Sequence, residues 1–443
     1  GKPSLTHYRV MQRFREHTHV HVKLDTGRTH QIRVHMQYIR HPIVGDPVYS
    51  GRQRIPPQAS DSLIQTLRQF NRQALHAFQL TLMHPETGEE YALARTERKS
   101  GHGYRGFTFH TDPGVTLEQD LVRRDLTINA MAMDSDGALI DPFDGREDLD
   151  QGLLRHVSPA FREDPVRILR VARFAARFAR FGFRVSHGTN ALMRQMVDSG
   201  EVDYLVPERV WKETSRALSE PSPERFFEVL RGCGALERLF PEIACLFGVP
   251  QPHRFHPEID TGVHTMMVLQ QAARLSPLPE VRFAALVHDL GKGQTPHEMW
   301  PRHHGHEALG VELVVQLCKR LKVPNAYRDL AIQVARYHGH FRRVSSELTA
   351  STIVSTLEAL DAFRRPERFE QYLLACEADM RGRAGKEKDP VPQADHFRRL
   401  RDAASAISVQ HIRDAGFEGK AIGEEMHRRR VNAVKQALQE IRL

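Results

Sequence analysis

From about residue 163 to its end, the chain places apolar residues at helical spacing with few interruptions. Ile168, Val171, Ala172, Ala175 and Phe178 set the pattern, and it predicts helices near 190–197, 207–219, 223–231, 262–275, 280–290, 306–321, 326–338, 349–361, 366–380 and 422–441. A run of this kind demands a helical body. The sequence before it differs. Tyr8-Arg9-Val10 and His19 to Leu24 alternate at period two, as strands do. Residues 30–40 read as a short helix, broken by Gly45-Asp46-Pro47, and a second helix is expected from Asp61 to Arg68. A strand over 89–98, a Gly-rich loop at 100–106 and a helix over 118–133 follow, while 382–393 reads as a linker. The class changes near residue 155. The expected fold is therefore α+β, with incomplete β-containing N-terminal parts before a large all-α body.

Hydrophobic residues make up 40% of the chain and charged residues 27%, which excludes a disordered chain. Lys and Arg number 63 against 55 acids, a net charge of +8 that favours a polyanionic partner. Cys233, Cys245, Cys318 and Cys376 form no C-x-x-C pair and read as reduced, buried thiols of a cytoplasmic protein. No apolar run reaches the length of a membrane span, so no membrane partner is expected. Gly1-Lys2-Pro3 reads as sequence from inside a domain, with the native N-terminus expected upstream. The pattern sets no oligomeric state.

Val287-His288-Asp289-Leu290-Gly291-Lys292 is the most specific chemical signal. His288 and Asp289 close an apolar helix just before a glycine, where adjacent side chains can bend toward one ion. A neutral nitrogen beside a charged oxygen suits Mn, Ni, Fe or Zn more than Mg alone. His264 lies near the start of an upstream helix and Asp379 near the end of a later one. This order resembles the HD phosphohydrolase superfamily. The resemblance implies that His264, His288, Asp289 and Asp379 hold a divalent cation (Ni, Mn or Mg), with Lys292 stabilising phosphate charge. His303, His304, His306, His338 and His340 are candidates for supporting groups or for a second metal. With 26 histidines in the chain, a solvated loop is an equal reading for His303 to His306.

Three further motifs point to nucleotides. Leu121 to Ala130 carries Arg123, Arg124, Asp125 and Asn129, donors and acceptors suited to a triphosphate and a ribose. Asp141-Pro142-Phe143-Asp144-Gly145 is a turn. In Glu163-Asp164-Pro165-Val166-Arg167-Ile168-Leu169-Arg170, Asp164 and Arg167 share a helix face and can read a base edge together. In this order, and with Pro207 to Glu213, they resemble bacterial CCA-adding tRNA nucleotidyltransferases of the eukaryote-like class. That resemblance runs through most of the chain. It implies tRNA as partner, ATP and CTP as substrates, and Mg²⁺ for transfer. Arg124, Asp125, Asn129, Asp164, Arg167 and Arg170 would bind nucleotide, and Glu90 would be the strand carboxylate beside the metal pair. Arg428, Arg429 and Arg430 are weaker candidates for holding tRNA phosphates. The family's Gly-Gly loop and Asp-x-Asp pair are not found before residue 85, and Asp134-Ser135-Asp136 reads as a turn. Nucleotide addition is therefore expected to be lost.

The first 84 residues point elsewhere. Gly27 to Met36, His41 to Tyr49 and Arg72 to Ala77 resemble the C-terminal part of pseudouridine synthases acting on large-subunit ribosomal RNA. Within this motif of Arg28 and Arg33, Arg33 is the candidate partner of a catalytic Asp, whose Arg-Leu-Asp motif is not found. A basic RNA-binding strand and loop is the competing reading, and ribosomal RNA the implied partner. Five parts are expected: 1–84, the synthase fragment; 85–150, a truncated nucleotidyltransferase head; 151–255, a helical neck and body; 256–381, an HD domain; and 382–443, a helical tail. The two families meet near Leu82 to Gly88, and a chimeric or misassembled reading frame is expected. The alternatives to a tRNA-processing phosphohydrolase are a pseudouridine synthase fragment and a non-catalytic RNA-binding chimera.

Overall fold

The structure is a computed structural model. It describes residues 114–442 throughout and, before them, 4–14, 17–24, 26, 28–46, 48–49, 55, 57, 59–69 and 74–75, with the backbone alone of 81–83, 90–92, 96–99 and 107–110. Two compact units divide the chain, Gly1–Leu93 and Ala94–Leu443.

In the first unit, strands Thr6–Arg13 and Thr18–Leu24 pair antiparallel, Thr6 opposite Leu24, with a bulge between Val10 and Gln12. The alternation in the sequence does produce strands. Yet Tyr8, Val10, Met11 and Leu24 are all exposed, so neither face of this hairpin is covered by a full layer. Helix Gln31–Tyr38 is tied back to the hairpin by Gln31, whose Nε2 donates to the Leu5 carbonyl and to Thr6 Oγ1, each at 2.9 Å. Helix Asp61–Gln69 falls where expected. The strand expected over 89–98 is two: Glu90–Ala92 pairs with Thr81–Met83, and Thr96–Lys99, in the second unit, pairs with Phe107–His110. The loop at 100–106 lies outside the described residues, as do Arg72 and Gln73.

The helix expected over 118–133 does not form. Leu117–Leu121 is helical and closed by a capping box on Thr116, after which come the 3-10 turn Thr127–Asn129 and the strand Ala132–Met133. Polar side chains draw the backbone away. Asp125 Oδ1 accepts from the Leu126 amide at 3.0 Å and from Asn129 Nδ2 at 3.1 Å. The Thr127 amide donates to the Arg155 carbonyl at 2.9 Å rather than along a helix. A parallel pair, Leu153–Leu154 with Arg184–Val185, holds the last strands among the described residues, and only an isolated bridge between Pro250 and Asp260 follows.

Beyond it the periodicity holds. Helices Val166–Phe178, Pro207–Leu218, Glu224–Gly232, Thr261–Leu275, Pro279–Val287, His306–Leu321, Asn325–Arg343, Ala350–Ala359, Pro366–Arg381 and Lys420–Arg442 match the expected ranges within a few residues. Gln393–Ser405 is a further helix that the pattern does not single out. One contiguous buried cluster runs from Leu126 to Leu438. At its centre lies Pro279–Val287, buried continuously from Val281 to Val287 and packed against Thr261–Leu275, Asn325–Arg343 and Pro366–Arg381. This apolar surround delivers the polar ends of those helices to one place.

Candidate metal centre and nucleotide site

His264 sits in the first turn of Thr261–Leu275, whose N-terminus is capped by Asp260 accepting from the Val263 amide at 2.9 Å. His288 caps the C-terminus of Pro279–Val287, and Asp379 stands in the last turn of Pro366–Arg381. Asp289 opens the 3-10 turn Leu290–Gln294. The structure brings all four together, buried: His264 Nε2 lies 3.2 Å and His288 Nε2 3.9 Å from Asp379 Oδ1, and His288 Nε2 lies 3.1 Å from Asp289 Oδ2.

Hydrogen bonds to fixed acceptors set the tautomers. His264 Nδ1 lies 3.0 Å from the Gly382 carbonyl and 2.9 Å from Glu258 Oε1, and His288 Nδ1 lies 2.7 Å from the Ala285 carbonyl. These acceptors take the Nδ1 protons and turn Nε2 of each ring toward the carboxylates, as a lone pair wherever the ring is neutral. His288 Nε2 and Asp289 Oδ1 are buried and make no hydrogen bond. Burial acts to raise the Asp289 and Asp379 carboxyls. The charges of His288 and Lys292 on one, and of Arg383 with the His264 hydrogen bond on the other, outweigh it and hold both well below the usual range. Burial likewise acts to lower His264, but the hydrogen bonds to Asp379 and Glu258 raise it. Two carboxylates held ionised, with imidazole Nε2 atoms converging on them, fit a divalent cation of the N/O-binding kind, which would take the place of any proton there.

Lys292 lies inside this cluster. Its Nζ is 2.6 Å from Asp289 Oδ2 and 2.5 Å from Gln251 Oε1. Of the five extra histidines, His306 and His338 point toward Asp289 Oδ1 at 3.4 and 3.5 Å. His303 is held between Thr295 Oγ1 and the Pro250 carbonyl, His340 bonds Thr356 Oγ1, and His304 is exposed. The sequence reading missed Glu258, which serves both His264 and His256. An acid shortly before a candidate ligand was the available signal.

The nucleotide candidates form a second network. Arg170 Nε donates to Asp125 Oδ2 at 2.5 Å, and Asn129 bonds the other oxygen. Burial acts to raise the Asp125 carboxyl, but Arg170 keeps it below its ordinary value. Arg124 donates to Asp120 Oδ2 at 3.0 Å and to the Asn129 carbonyl at 3.3 Å. Asp164 is gripped by both Nη atoms of Arg209 at 3.0 and 2.7 Å, another residue that the motif reading did not single out. Arg167 donates to the Ala160 and Arg123 carbonyls, each at 2.7 Å. Glu90 lies in a strand of the other unit, and its side chain is outside the described residues. Arg428 and Arg429 pair with Glu425, and Arg430 with Glu358. In the first unit Arg33 meets Asp46 through Nε and Nη2 at 2.7 and 2.8 Å, while Arg28 is exposed.

Asp134 Oδ1 accepts from the Asp136 and Ala138 amides at 3.0 and 2.8 Å, closing the turn between Ala132–Met133 and Leu139–Ile140. No helix among the described residues is long and apolar enough to cross a membrane.

Four family models match: RNA pseudouridylate synthase at residues 1–38, the poly A polymerase head domain at 56–155, a probable RNA and SrmB-binding site of polymerase A at 182–246, and the HD domain at 261–365. The multifunctional CCA protein of Thioalkalivibrio sulfidiphilus is 66% identical over 80% of this chain and 86% of its own length. Among solved structures, a CCA-adding enzyme in an apo form aligns with a TM-score of 0.56 at 20% identity, covering 82% of this chain and 81% of that one. The Thermotoga maritima CCA-adding enzyme complexed with tRNA aligns with a TM-score of 0.51 at 18% identity, over 86% of this chain and 83% of that one. Those two likenesses show the fold, and the relative shows the family: this chain belongs to the multifunctional CCA proteins, nucleotidyltransferase relatives that carry an HD domain.

Proposed function

We propose that this chain is a metal-dependent phosphohydrolase of 2′,3′-cyclic phosphates, 2′-nucleotides and related phosphate esters, that it binds tRNA, and that it does not itself add nucleotides. The observation that carries the first part is the buried pair of unbonded atoms, His288 Nε2 and Asp289 Oδ1, set between His264 and Asp379. A divalent cation bound there (Ni²⁺, Mn²⁺ or Mg²⁺) would polarise a phosphoryl oxygen and lower the pKa of a water. His264, His288, Asp289 and Asp379 would hold it. Glu258 and the Ala285 and Gly382 carbonyls keep the imidazoles turned the right way. Lys292 holds Asp289 and leaves a positive charge in the site for a phosphate oxygen.

Binding of tRNA is supported by membership of the multifunctional CCA proteins and by the CCA-adding enzyme of like fold that is complexed with tRNA. A cleft of about 520 Å³ carries Arg177 and Arg216 on its lining, beside Glu220. Transfer chemistry would take ATP and CTP at the Asp125 network with Mg²⁺. We place its loss on the missing Gly-Gly loop and Asp-x-Asp pair, since Asp134 and Asp136 are engaged in a turn. Matches to two unrelated families before residue 155 support a join between them within this segment.

The test is turnover of a 2′,3′-cyclic nucleotide with Ni²⁺, Mn²⁺ or Mg²⁺. Metal-dependent hydrolysis abolished in the double variant His288→Ala, Asp289→Ala supports the reading, and no turnover with any metal refutes it. Incorporation of CTP and ATP into tRNA lacking its 3′ end would refute the loss of transfer.

A further inference from the structure

Two buried side chains at the His-Asp cluster carry donors without an acceptor among the described residues: Gln251 Nε2 and Arg383 Nε. The two residues are 2% and 6% exposed. A donor buried without an acceptor is unfavourable, and a folded chain that keeps one asks for the role it serves.

The orientation of Gln251 is fixed by its neighbour. Its Oε1 lies 2.5 Å from Lys292 Nζ. An ammonium only donates, so the amide oxygen must face it and the NH₂ must take the other side. The backbone is held as well. The Gln251 amide donates to the Ile259 carbonyl at 2.7 Å, and the Thr261 amide to the Val249 carbonyl at 2.9 Å. Gln251 is thereby tied to the segment that opens the His264 helix, Thr261–Leu275.

Arg383 comes just after the helix that carries Asp379, Pro366–Arg381. The residues on either side pin it to the cluster. The Gly382 carbonyl accepts from His264 Nδ1 at 3.0 Å, and the Ala384 amide donates to Glu258 Oε2 at 3.3 Å. A Cβ at Gly382 would lie 2.5 Å from Val268 Cγ2, so glycine lets this segment press against the His264 helix. Arg383 Nη2 stands 3.5 Å from Asp379 Oδ1, longer than a charge-assisted hydrogen bond normally runs. Nε and Nη2 form one edge of the guanidinium, a fork suited to two oxygens of one phosphate.

These donors flank the atoms suited to a cation. His288 Nε2 approaches both carboxylates, Asp289 Oδ2 at 3.1 Å and Asp379 Oδ1 at 3.9 Å. Lys292 lies against the first of those oxygens and Arg383 beside the second. Arg430 makes a contrast. Its Nε is also buried and unbonded, but the guanidinium lies over Phe363, 3.9 Å from the ring centroid, and pairs with Glu358 at 3.2 Å. Packing accounts for that arginine and not for Arg383.

We propose that Gln251 Nε2 and the Arg383 guanidinium are phosphate-binding groups of this centre, donating together with Lys292 to the phosphoryl oxygens of a phosphate ester. This rests on the reading of the centre as a metal-dependent phosphohydrolase, and it names two residues that hold the substrate there. Preset donors of this kind strengthen as charge builds on the phosphoryl oxygens.

The test is equilibrium dialysis of radiolabelled inorganic phosphate against the full chain, with and without Mn²⁺, with bound Mn²⁺ and thermal melting measured on the same samples. Arg383→Gln and Gln251→Met should each weaken phosphate binding by about 10-fold, and by more than they weaken Mn²⁺ binding. Arg383→Lys, which restores the charge without the fork, should recover part of the loss. If Gln251 served only to hold Lys292, Gln251→Met would free the ammonium, and phosphate binding would hold or rise; that result overturns its role. Where Gln251→Met does not fold, Gln251→Glu keeps an oxygen for Lys292, loses the NH₂ and carries the same expectation. Phosphate binding that is unchanged in the variants, or that falls only in step with Mn²⁺ binding or melting, overturns the proposal, and so does an unaltered chain that binds Mn²⁺ but no phosphate. A chain that binds no Mn²⁺ refutes the metal reading instead, and the metal-free dialysis then decides on Gln251 and Arg383 by the same comparison.

Discussion

Glu258 is a residue outside the proposed ligand set on which the orientation of His264 depends. Its Oε1 accepts from His264 Nδ1 at 2.9 Å and fixes the tautomer that presents Nε2. Glu258→Gln keeps an acceptor but removes the charge that makes His264 a stronger base. Cation affinity should fall by roughly 10-fold, measured by Mn²⁺ titration with the fold unchanged. The four residues proposed as ligands were legible as a group because His and Asp at helix ends stand out against apolar neighbours. Glu258 was not, because it lies in an irregular stretch before Asp260, where spacing predicts no direction. The same limit applies to Arg33, whose partner here is Asp46, a residue that the sequence read only as part of a turn. Arg173 and Glu213 make a buried pair at 2.8 Å between Val166–Phe178 and Pro207–Leu218. Arg173→Ala leaves the carboxylate only its longer contact to Arg216, at 3.7 Å, and should cost about 3 kcal/mol in a denaturation experiment. The cysteines behave as their surroundings require. Burial pushes Cys233 up to about 11 and Cys318 up to about 12, so both stay protonated at pH 8. Native alkylation at that pH should be slow at both thiols and become rapid only on unfolding.

At the level of elements, Gly291 explains why a glycine follows the His-Asp pair. A Cβ there would lie 2.0 Å from the His306 carbonyl oxygen and 2.6 Å from the Gly310 amide. The 3-10 turn Leu290–Gln294 and the helix His306–Leu321 therefore touch backbone to backbone, and that contact sets His306 opposite Asp289. Gly291→Ala must push the two apart. It should cost about 1–3 kcal/mol in thermal melting and weaken Mn²⁺ binding together with stability, whereas Glu258→Gln affects binding alone. Helical periodicity foretold most of these elements because each buries one stripe against its neighbours. It failed over 118–133 for a stated reason: Asp125 and Asn129 bond locally, and Thr127 reaches across to Arg155. Such a stretch keeps helical spacing in its apolar residues while its polar groups pull the chain out of helix.

At the scale of the whole molecule, the buried cluster from Leu126 to Leu438 is continuous, and every member of the candidate metal centre belongs to the same unit, Ala94–Leu443. The first unit offers a contrast. Its hairpin exposes Tyr8, Val10 and Met11, and its paired strand Glu90–Ala92 ends at the unit's edge. The change of class was legible in the sequence because periodicity shifts abruptly. The unit boundary was not, since the strand expected over 89–98 is shared between units. If the metal centre draws its stability from the helical core, removing residues 1–93 should leave Mn²⁺ binding and cyclic-phosphate hydrolysis within about twofold of the full chain. The apolar surface of the hairpin would be gone, so solubility should rise in the same preparation. Loss of hydrolysis in the shortened chain, with its helical content intact, would show instead that the first unit supports the centre.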